Sequence, residues 1–255
     1  MKIELLQTFL TIVDTGSLSR AALRLNCTQS TVTARLKTLE DHLGQQVINR
    51  HKSGVTLTAA GIRLQRYAEA MQDLWRQARH EIALPETMGV SLNLGLHHAY
   101  LHYIQPIGTA LRQQYPQMAL MFRAGRSAEL KQWVQTGVVD GAVDMVPNHV
   151  PNLSTTTLPT AQLQLFSTRS DSPVIFDPDY IFIEYSSDFA RQHAAQFSAA
   201  DTARLGFDTP QQGRDFMLSQ GGSAYLPYDL AVKDMRAGHL FTVQDAPIFQ
   251  LHRYF

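Results

Sequence analysis

Three polar side chains, Gln29, Ser30 and Thr33, are crowded into the stretch NCTQSTVTARLKTLE, where each can donate and accept hydrogen bonds. The apolar residues of this stretch recur at intervals of four, three and four and predict an amphipathic helix. They are Val32, Leu36, Leu39 and Leu43. Once that face is buried, the three polar side chains lie at the N-terminal end of the outward face. Hydroxyl and carboxamide groups can reach base edges and a helix N-terminus attracts phosphate, so this surface could bind nucleic acid.

Neighbouring side chains extend this surface. Thr28 is placed to cap the helix, and Lys37 lies further along the outward face. Thr31 and Arg35 lie on one flank. Polar outward faces are nevertheless the norm for helices, and a serine or threonine at a helix start usually only caps it. The face alone therefore leaves an ordinary solvated helix open as the alternative.

Two shorter elements precede this helix and are predicted to position it. Residues 5–13 carry apolar side chains at helical spacing and end at Gly16, and Ser17 can cap a second helix. Asn26 and Cys27 then form a short turn. Two helices joined by a tight turn, the second presenting short donors and acceptors, form the helix-turn-helix that enters the major groove of DNA.

A basic hairpin is predicted directly after the polar helix. Residues 47–48 and 55–57 have the composition of strands, and the turn between them carries Arg50 and Lys52. Such a hairpin is the wing of a winged helix-turn-helix, and its cations are placed for phosphate contacts, which fix register without reading sequence. The hairpin therefore favours DNA over a merely solvated helix face.

Composition narrows the classes of protein that remain. The chain has 255 residues, 44% apolar and 17% charged, which is typical of a globular protein with two or three compact units. Residues 1–66 carry a formal charge of +5 and the remainder −5, so only the first part is expected to meet a polyanion. The sequence has no run of eighteen apolar residues, and its start does not resemble a signal peptide, so we expect no membrane contact. A single cysteine, Cys27, fits a reducing cytoplasm.

A long helix is expected after the hairpin, capped by Thr58. Its apolar residues follow a heptad pattern and would form a continuous seam. They are Leu64, Ala68, Met71, Trp75, Ala78 and Ile82. A small winged domain cannot bury such a seam, so we expect it to pair with the same helix of a second chain and match a two-fold DNA site. The alternative is packing on the second half of the same chain.

The remainder of the chain alternates between short strands and helices. Three predicted strands enclose two predicted helices, in the order 91–96, 103–114, 118–122, 130–134 and 138–143. This alternation predicts a mixed α/β sheet with crossover helices. A second lobe continues it through residues 180–185, 214–218 and 224–226.

The stretch FLTIVDTGSLSRAALRLNCTQSTVTARLKTLEDHLGQQVINRHKSGVTLTAAG combines several motifs at fixed positions. Among them are Ala21-Ala22, Gln29, Leu39-Glu40 and Ala60-Gly61. Together they resemble the DNA-binding domain of LysR-type transcriptional regulators. Further along, IEYSSDFARQH is similar to the HdfR-like branch of that family.

The resemblance implies a chain of three parts, of mixed α+β and α/β class. Residues 1–60 would form a winged helix-turn-helix, 61–88 a linker and dimerisation helix with a hinge, and 89–255 a two-lobed effector domain similar to periplasmic binding proteins. The implied partners are double-stranded DNA, further copies of the chain as dimer or tetramer, a small-molecule effector and RNA polymerase. Family members usually continue through another helix after the final strand DAPIFQLHRYF, so the effector domain is expected to be shortened at its C-terminus.

The effector site of the family lies between the two lobes, and the resemblance implies a small polar or anionic ligand there. The implied contact residues are His97, His98, Ser127 and Asp144 in the first lobe and Ser186 and Tyr228 in the second. Ser127 is expected at the cap of a helix, where a serine suits a carboxylate. Each of these residues could equally be an ordinary capping or surface residue.

The sequence supports metal binding and catalysis less well than DNA binding. His98 and His102 stand four apart and could share a metal ion, but no HExxH motif surrounds them, so we expect neither a metal nor a cofactor. The sequence lacks nucleophile-elbow, P-loop and dinucleotide-binding glycine motifs, so we expect no catalytic residues and no enzyme. A ligand- or metal-binding module without regulatory output remains the alternative, and the attached winged helix argues against it.

Overall fold

The computed structural model divides the chain into two compact units, Met1–Pro85 and Glu86–Phe255. It describes residues 2–51, 54–85, 88–148, 153–174, 178–197 and 203–255. The boundary falls inside the segment 61–88 that we assign to the linker, and the three-part division stays a prediction. No helix within the described ranges is both long and apolar enough to cross a membrane.

The first unit is a winged helix-turn-helix followed by one long helix. Its elements are α1 (Ile3–Thr15), α2 (Leu18–Arg24), α3 (Gln29–Leu43), β1 (Ile48–His51), β2 (Gly54–Leu57) and α4 (Ala59–Ile82). The caps confirm the predicted helix ends: Gly16 is left-handed with φ 64°, and Ser17 accepts the N–H of Arg20. Thr58 accepts the N–H of Gly61 at the start of α4. Each contact satisfies a backbone group that the helix end leaves unpaired.

An apolar core joins the three short helices to the hairpin. Its fully buried side chains include Leu6, Phe9, Ile12, Ala21, Val32, Leu36, Leu39 and Val47. Leu64 and Ala68, from the first half of α4, pack against the same core. The winged unit therefore covers the first two positions of the heptad seam, and the exposed part of the seam begins at Met71.

The first lobe of the second unit is built on three parallel strands in the order β4-β3-β5. Its elements are β3 (Val90–His97), a 3-10 helix (His98–Tyr103), α5 (Ile104–Gln114), β4 (Met118–Gly125), α6 (Ser127–Thr136) and β5 (Gly141–Val143). The central strand β3 pairs in parallel with both neighbours. Parallel strands end at one edge of a sheet, so the residues that follow β3, β4 and β5 are gathered there.

The strand predicted at 138–143 is shorter in the structure, and the helix before it is longer. The N–H groups of Val138 and Val139 both bond to the carbonyl of Trp133, at 2.8 and 3.3 Å. These bonds close the C-terminal turn of α6, so residues 138–139 are buried there rather than paired in the sheet. Only 141–143 pair with β3.

The second lobe is a mixed six-stranded sheet with helices packed on it. Its elements are β6 (Thr157–Ser167), β7 (Tyr180–Ile183), α7 (Ser187–Gln196), β8 (Leu205–Phe207), α8 (Pro210–Gln220), β9 (Ser223–Pro227), α9 (Tyr228–Arg236), β10 (Phe241–Thr242) and β11 (Phe249–Tyr254). The order is β10-β6-β9-β7-β8, and β11 also pairs with β6. The end of β11 returns to the first lobe, where Tyr254 forms an antiparallel bridge with Asp144. The two lobes are therefore linked by backbone hydrogen bonds as well as by the chain.

Aromatic side chains surround one histidine in the core of the second lobe. His193 is 2% exposed, and its Nε2 lies 2.8 Å from the hydroxyl of Tyr180. The rings of Phe189 and Tyr225 lie 5.4 and 5.6 Å from the imidazole. Burial lowers the pKa of His193 to about 4, so the ring is neutral at physiological pH. It acts here as a packing residue with one hydrogen bond.

Candidate nucleic-acid interface and inter-lobe cleft

The polar end of α3 is organised by its N-cap. Thr28 Oγ1 accepts the N–H of Thr31 at 3.2 Å and lies 2.8 Å from the hydroxyls of Ser30 and Thr31. Thr28, Gln29 and Ser30 are exposed, and Thr31 and Thr33 are half-buried. The structure thus brings these five predicted contact residues together on the outward side of the first turns of α3.

Gln29 is held by a residue of the preceding helix. Ser19 Oγ, in α2, donates a hydrogen bond to Gln29 Oε1 at 2.9 Å. The carboxamide oxygen is therefore occupied in part, and the amide N–H groups are presented as donors. Ser19 was not predicted from the sequence, because helical periodicity within α2 does not reveal which of its exposed side chains meets α3.

The cations predicted to contact DNA differ in their surroundings. Arg35 lies 3.7 Å from Glu4 of α1, so part of its charge is satisfied inside the unit. Lys37 and Arg50 are exposed, on the outward face of α3 and on β1. Lys52 lies outside the described residues. Of the predicted cations that the structure describes, Lys37 and Arg50 are therefore the ones whose position best suits contact with a polyanion.

The hairpin is fastened to the helices at both strands. Glu40 Oε1 accepts the N–H groups of Val47 and Ile48 at 3.0 and 3.4 Å. The N–H of Val55 donates to the carbonyl of Gly16 at 3.2 Å, in the turn between α1 and α2. These bonds fix the position of the wing relative to α3. A fixed position is needed if α3 is to read base edges while the wing contacts the phosphates beside them.

In the second unit, His97 serves as a cap. It is the last residue of β3 and is buried, and its Nδ1 accepts the N–H of Ala99 at 3.2 Å. Burial lowers the pKa of His97, which keeps the imidazole neutral and able to accept that bond. Its role in the structure is to begin the 3-10 helix.

Ser127 and Asp144 are bonded to each other. Ser127 Oγ donates to Asp144 Oδ1 at 2.7 Å, and the N–H of Met145 donates to the same oxygen at 2.7 Å. The expected cap role of Ser127 is wrong: Arg126 is the N-cap of α6, and Ser127 is its first helical residue, so its hydroxyl turns toward the carboxylate. Ser127 and Asp144 also line a cavity of about 480 Å³ together with Lys131.

A charged contact joins the two lobes at Asp208, in the turn between β8 and α8. Asp208 Oδ2 lies 3.8 Å from His98 Nδ1 and 3.7 Å from the guanidinium of Arg126. His98 was predicted as a contact residue from the sequence, whereas Arg126 and Asp208 were not. The end of a short strand was the available signal for Asp208, since ligands in α/β sheets bind beyond strand ends.

A second contact between the lobes involves Asp229, next to Tyr228 at the start of α9. The hydroxyl of Tyr103 donates to Asp229, and His102 Nε2 lies 3.5 Å from the carboxylate. Arg253 donates to the Tyr103 hydroxyl at 2.7 Å. Although burial raises the pKa of Asp229, the hydrogen bond and charge of His102 and the charge of Arg253 hold it below its usual value. Asp229 is thus a fixed part of the inter-lobe contact, whereas Tyr228 is exposed beside it.

Ser186 makes a local contact, whereas the two spaced histidines lie at contacts between the lobes. Ser186 caps α7 and accepts the N–H of Phe189 at 3.0 Å. His98 and His102 face different aspartates of the second lobe, at 3.8 and 3.5 Å. In the part of the chain that the structure describes, no group of three histidine, cysteine or acidic side chains is arranged to hold a metal ion.

A winged helix-turn-helix, a long helix and a two-lobed α/β domain together are the architecture of a DNA-binding regulator. Residues 3–62 match the bacterial regulatory helix-turn-helix protein family, lysR family. The HTH-type transcriptional regulator HdfR of Yersinia pestis (strain Pestoides F) is 30% identical over 241 residues, covering 89% of this chain and 81% of that protein. The chain belongs to the LysR family of transcriptional regulators, and it is a regulator rather than an enzyme.

Solved structures share the architecture. CbnR, a LysR family transcriptional regulator, superimposes with a TM-score of 0.68 at 17% identity, covering all of this chain and 92% of that one. Vibrio fischeri DarR, solved in complex with DNA, gives a TM-score of 0.53 at 16% identity, with the same coverage of 100% and 92%. These likenesses establish the two-lobed effector domain and the winged helix-turn-helix as the fold.

Proposed function

We propose that this regulator binds a partly two-fold-symmetric DNA site as a homodimer or a pair of dimers, in the cytoplasm, under the control of a small polar ligand. The observation that carries the proposal is the exposed N-terminal end of α3, where Gln29 and Ser30 lie beside the capped first turn. The wing fastened next to it supplies the second contact. A groove-reading helix with an adjacent basic hairpin is how winged domains bind duplex DNA.

Within this proposal the contacts divide by chemistry. Gln29, Ser30 and Thr33 read base edges, because they offer donors and acceptors to the major groove. Lys37 and Arg50 contact phosphates, which adds affinity without sequence preference. Lys52 is assigned a phosphate contact from the sequence alone.

The second half of α4 supports a dimer. Met71, Trp75 and Ile82 are 46%, 51% and 85% exposed, and their spacing of four and seven places them on one side of the helix. A row of large exposed apolar side chains is a surface that needs a partner. The same row on a second α4 is a self-complementary partner under two-fold symmetry.

Replacing Trp75 with glutamate is expected to convert the dimer to a monomer, because it places a charge in the middle of the apolar row. The dissociation constant of the dimer should rise on the order of thirtyfold or more. Size-exclusion chromatography with light scattering measures the mass. Ile62→Glu is the matched control, since Ile62 is 59% exposed on the other side of α4 and should leave the dimer intact. A Trp75→Glu chain that keeps the wild-type mass would assign dimerisation to another surface.

The proposed ligand acts through the inter-lobe cleft. The lobes touch through side chains at Asp208 and Asp229, so a ligand inserted between them changes their relative position. With α4 pairing two chains, that change alters the spacing of the winged domains and hence the bend of the DNA and the access of RNA polymerase. The ligand shifts this equilibrium only by its difference in affinity for the two arrangements.

A footprint on the DNA upstream of the protein's own gene tests the proposal. We expect a protected patch with approximate two-fold symmetry, whose affinity falls steeply as salt is raised, because phosphate contacts release counter-ions. A random fragment of equal length is the control and should be protected weakly and evenly. Equal protection of both fragments would show that the chain binds DNA without reading sequence.

A further inference from the structure

Ser19 and Gln29 are brought together where α2 packs against the start of α3. Ser19 lies in the first turn of α2 and is exposed, whereas Ala21 and Ala22 of the same helix are buried in the core. Gln29 is the first residue of α3. Ser19 Oγ donates to Gln29 Oε1 at 2.9 Å, so this bond joins the two helices of the helix-turn-helix on their exposed side.

The backbone of the turn fixes how these two side chains approach each other. Asn26 is in the left-handed region with φ 50°, a conformation that asparagine tolerates. The N–H of Cys27 donates to the carbonyl of Ala22 at 3.0 Å, which closes the turn onto α2. The bond between Ser19 and Gln29 is therefore made between groups that the fold has already placed, and less conformational entropy is lost in forming it.

The bond also determines which group Gln29 offers to DNA. A carboxamide has an oxygen that accepts hydrogen bonds and an NH2 group that donates them. The usual bidentate pairing of glutamine with adenine uses both at once, because the oxygen accepts from the N6 amino group while the NH2 group donates to N7. Here the hydroxyl of Ser19 already donates to the oxygen and holds it toward α2. The NH2 group of Gln29 is therefore the part left for the base edge.

We propose that Ser19 is a positioning residue for base recognition. It holds Gln29 so that the carboxamide donates to acceptor groups of the major groove, guanine O6 and N7 or thymine O4, and does not accept from the amino group of adenine or cytosine. This inference rests on the proposed function, in which Gln29 reads a base edge. It gives a role in specificity to α2, although the first helix of a helix-turn-helix crosses the DNA backbone and leaves the bases to the second.

The hydroxyls nearer to Gln29 in sequence are engaged by the helix cap. Thr28 Oγ1 lies 2.8 Å from the hydroxyls of both Ser30 and Thr31. Ser19, from the preceding helix, is the residue whose hydroxyl fixes the carboxamide. Without that hydroxyl the carboxamide can turn over about its last side-chain bond, a torsion with two broad and nearly equivalent orientations, and present either its oxygen or its NH2 group.

Fluorescence anisotropy with the full chain tests this inference on duplexes that lack single groups in the major groove. The base pair is first located as the one at which Gln29→Ala loses discrimination among the four base pairs. Base analogues then remove from that pair either one acceptor, a purine N7 or a carbonyl oxygen, or one exocyclic amino group. We expect the wild-type chain to lose affinity about fivefold without the acceptor and less than about twofold without the amino group.

Ser19→Ala should change this pattern. The variant should lose affinity about threefold when the amino group is removed, because its carboxamide can now accept from that group. Ser19→Thr keeps the hydroxyl and should restore the wild-type pattern. Gln29→Ala, which has no carboxamide, measures how much the analogues themselves weaken the duplex. Ser219→Ala removes an exposed serine of the second unit, whose hydroxyl donates to the carbonyl of Phe216, and should behave as wild type.

Three results would contradict the positioning role: Gln29→Ala keeps discrimination at every base pair, removal of the amino group costs the wild-type chain as much as removal of the acceptor, or Ser19→Ala keeps the wild-type pattern. A uniform loss of affinity in Ser19→Ala on all duplexes belongs to the third result and would make Ser19 a phosphate contact. Failure of the proposed function is a separate observation, because it is recorded as a footprint of the wild-type chain without sequence preference.

Discussion

Replacing Gly61 with alanine is expected to destabilise the winged unit by about 3 kcal/mol and to remove its DNA binding. A Cβ at Gly61 would lie 2.1 Å from the carbonyl oxygen of Val47 and 2.9 Å from Leu57 Cδ2. The carbonyl cannot move aside without cost, because it accepts the N–H of Thr58 at 3.1 Å. In a helix where the added methyl group meets no obstacle, replacing glycine with alanine stabilises the folded state by about 1 kcal/mol. A loss of stability in Gly61→Ala would therefore indicate the steric clash, and a gain would indicate that the clash is absent.

Hydrogen exchange of the α1–α3 amides, followed by mass spectrometry on the full chain, measures this effect. Exchange through global opening of the winged unit should quicken on the order of a hundredfold, while the second unit keeps its wild-type protection. Gly89→Ala is the control, because among the described residues no atom beyond its own chain neighbours lies within 4 Å of its added Cβ. Unchanged exchange in Gly61→Ala would mean that α4 does not begin against the Val47 carbonyl.

The winged unit could be predicted from sequence because its signals act over one or two helical turns. Gly16, Ser17 and Thr28 fix helix ends through contacts with residues at most four positions away. The heptad pattern of apolar residues in α4 was predicted from the sequence, but not which of these residues the winged unit covers. Periodicity shows which side of a helix is apolar, and only packing shows that Ala68 is covered inside the unit whereas Trp75 is exposed.

The effector domain was predicted less completely, because its contacts join distant parts of the chain. The long strand β6 was missed: Pro159 weakens its strand pattern, and its pairing with β11 is invisible to any local window. The cleft contact between Arg126 and Asp208 depends in the same way on how two lobes fold against each other. Among the six implied effector residues, His98 lies 3.8 Å from Asp208 of the opposite lobe.

Arg50→Ala and Gln29→Ala are expected to weaken DNA binding in two different ways. Loss of Arg50 should lower affinity by a similar factor on operator and random DNA and reduce the slope of log affinity against log salt by about 1, because phosphates are the same at every sequence. Loss of Gln29 should cost about 1–3 kcal/mol on the operator and little on random DNA. Fluorescence anisotropy on the footprinted site and a scrambled duplex, at several salt concentrations, measures both.

Arg79→Ala is the control for charge, because Arg79 is exposed near the far end of α4 and should leave both affinities unchanged. Gln29 is held by Ser19 of α2, whereas Arg50 lies on a wing fastened through Glu40, so neither substitution should disturb the other element. Their free-energy costs on the operator should therefore add in the double variant. Equal losses of both single variants on random DNA would instead make Gln29 a backbone contact and leave base reading to Ser30 and Thr33.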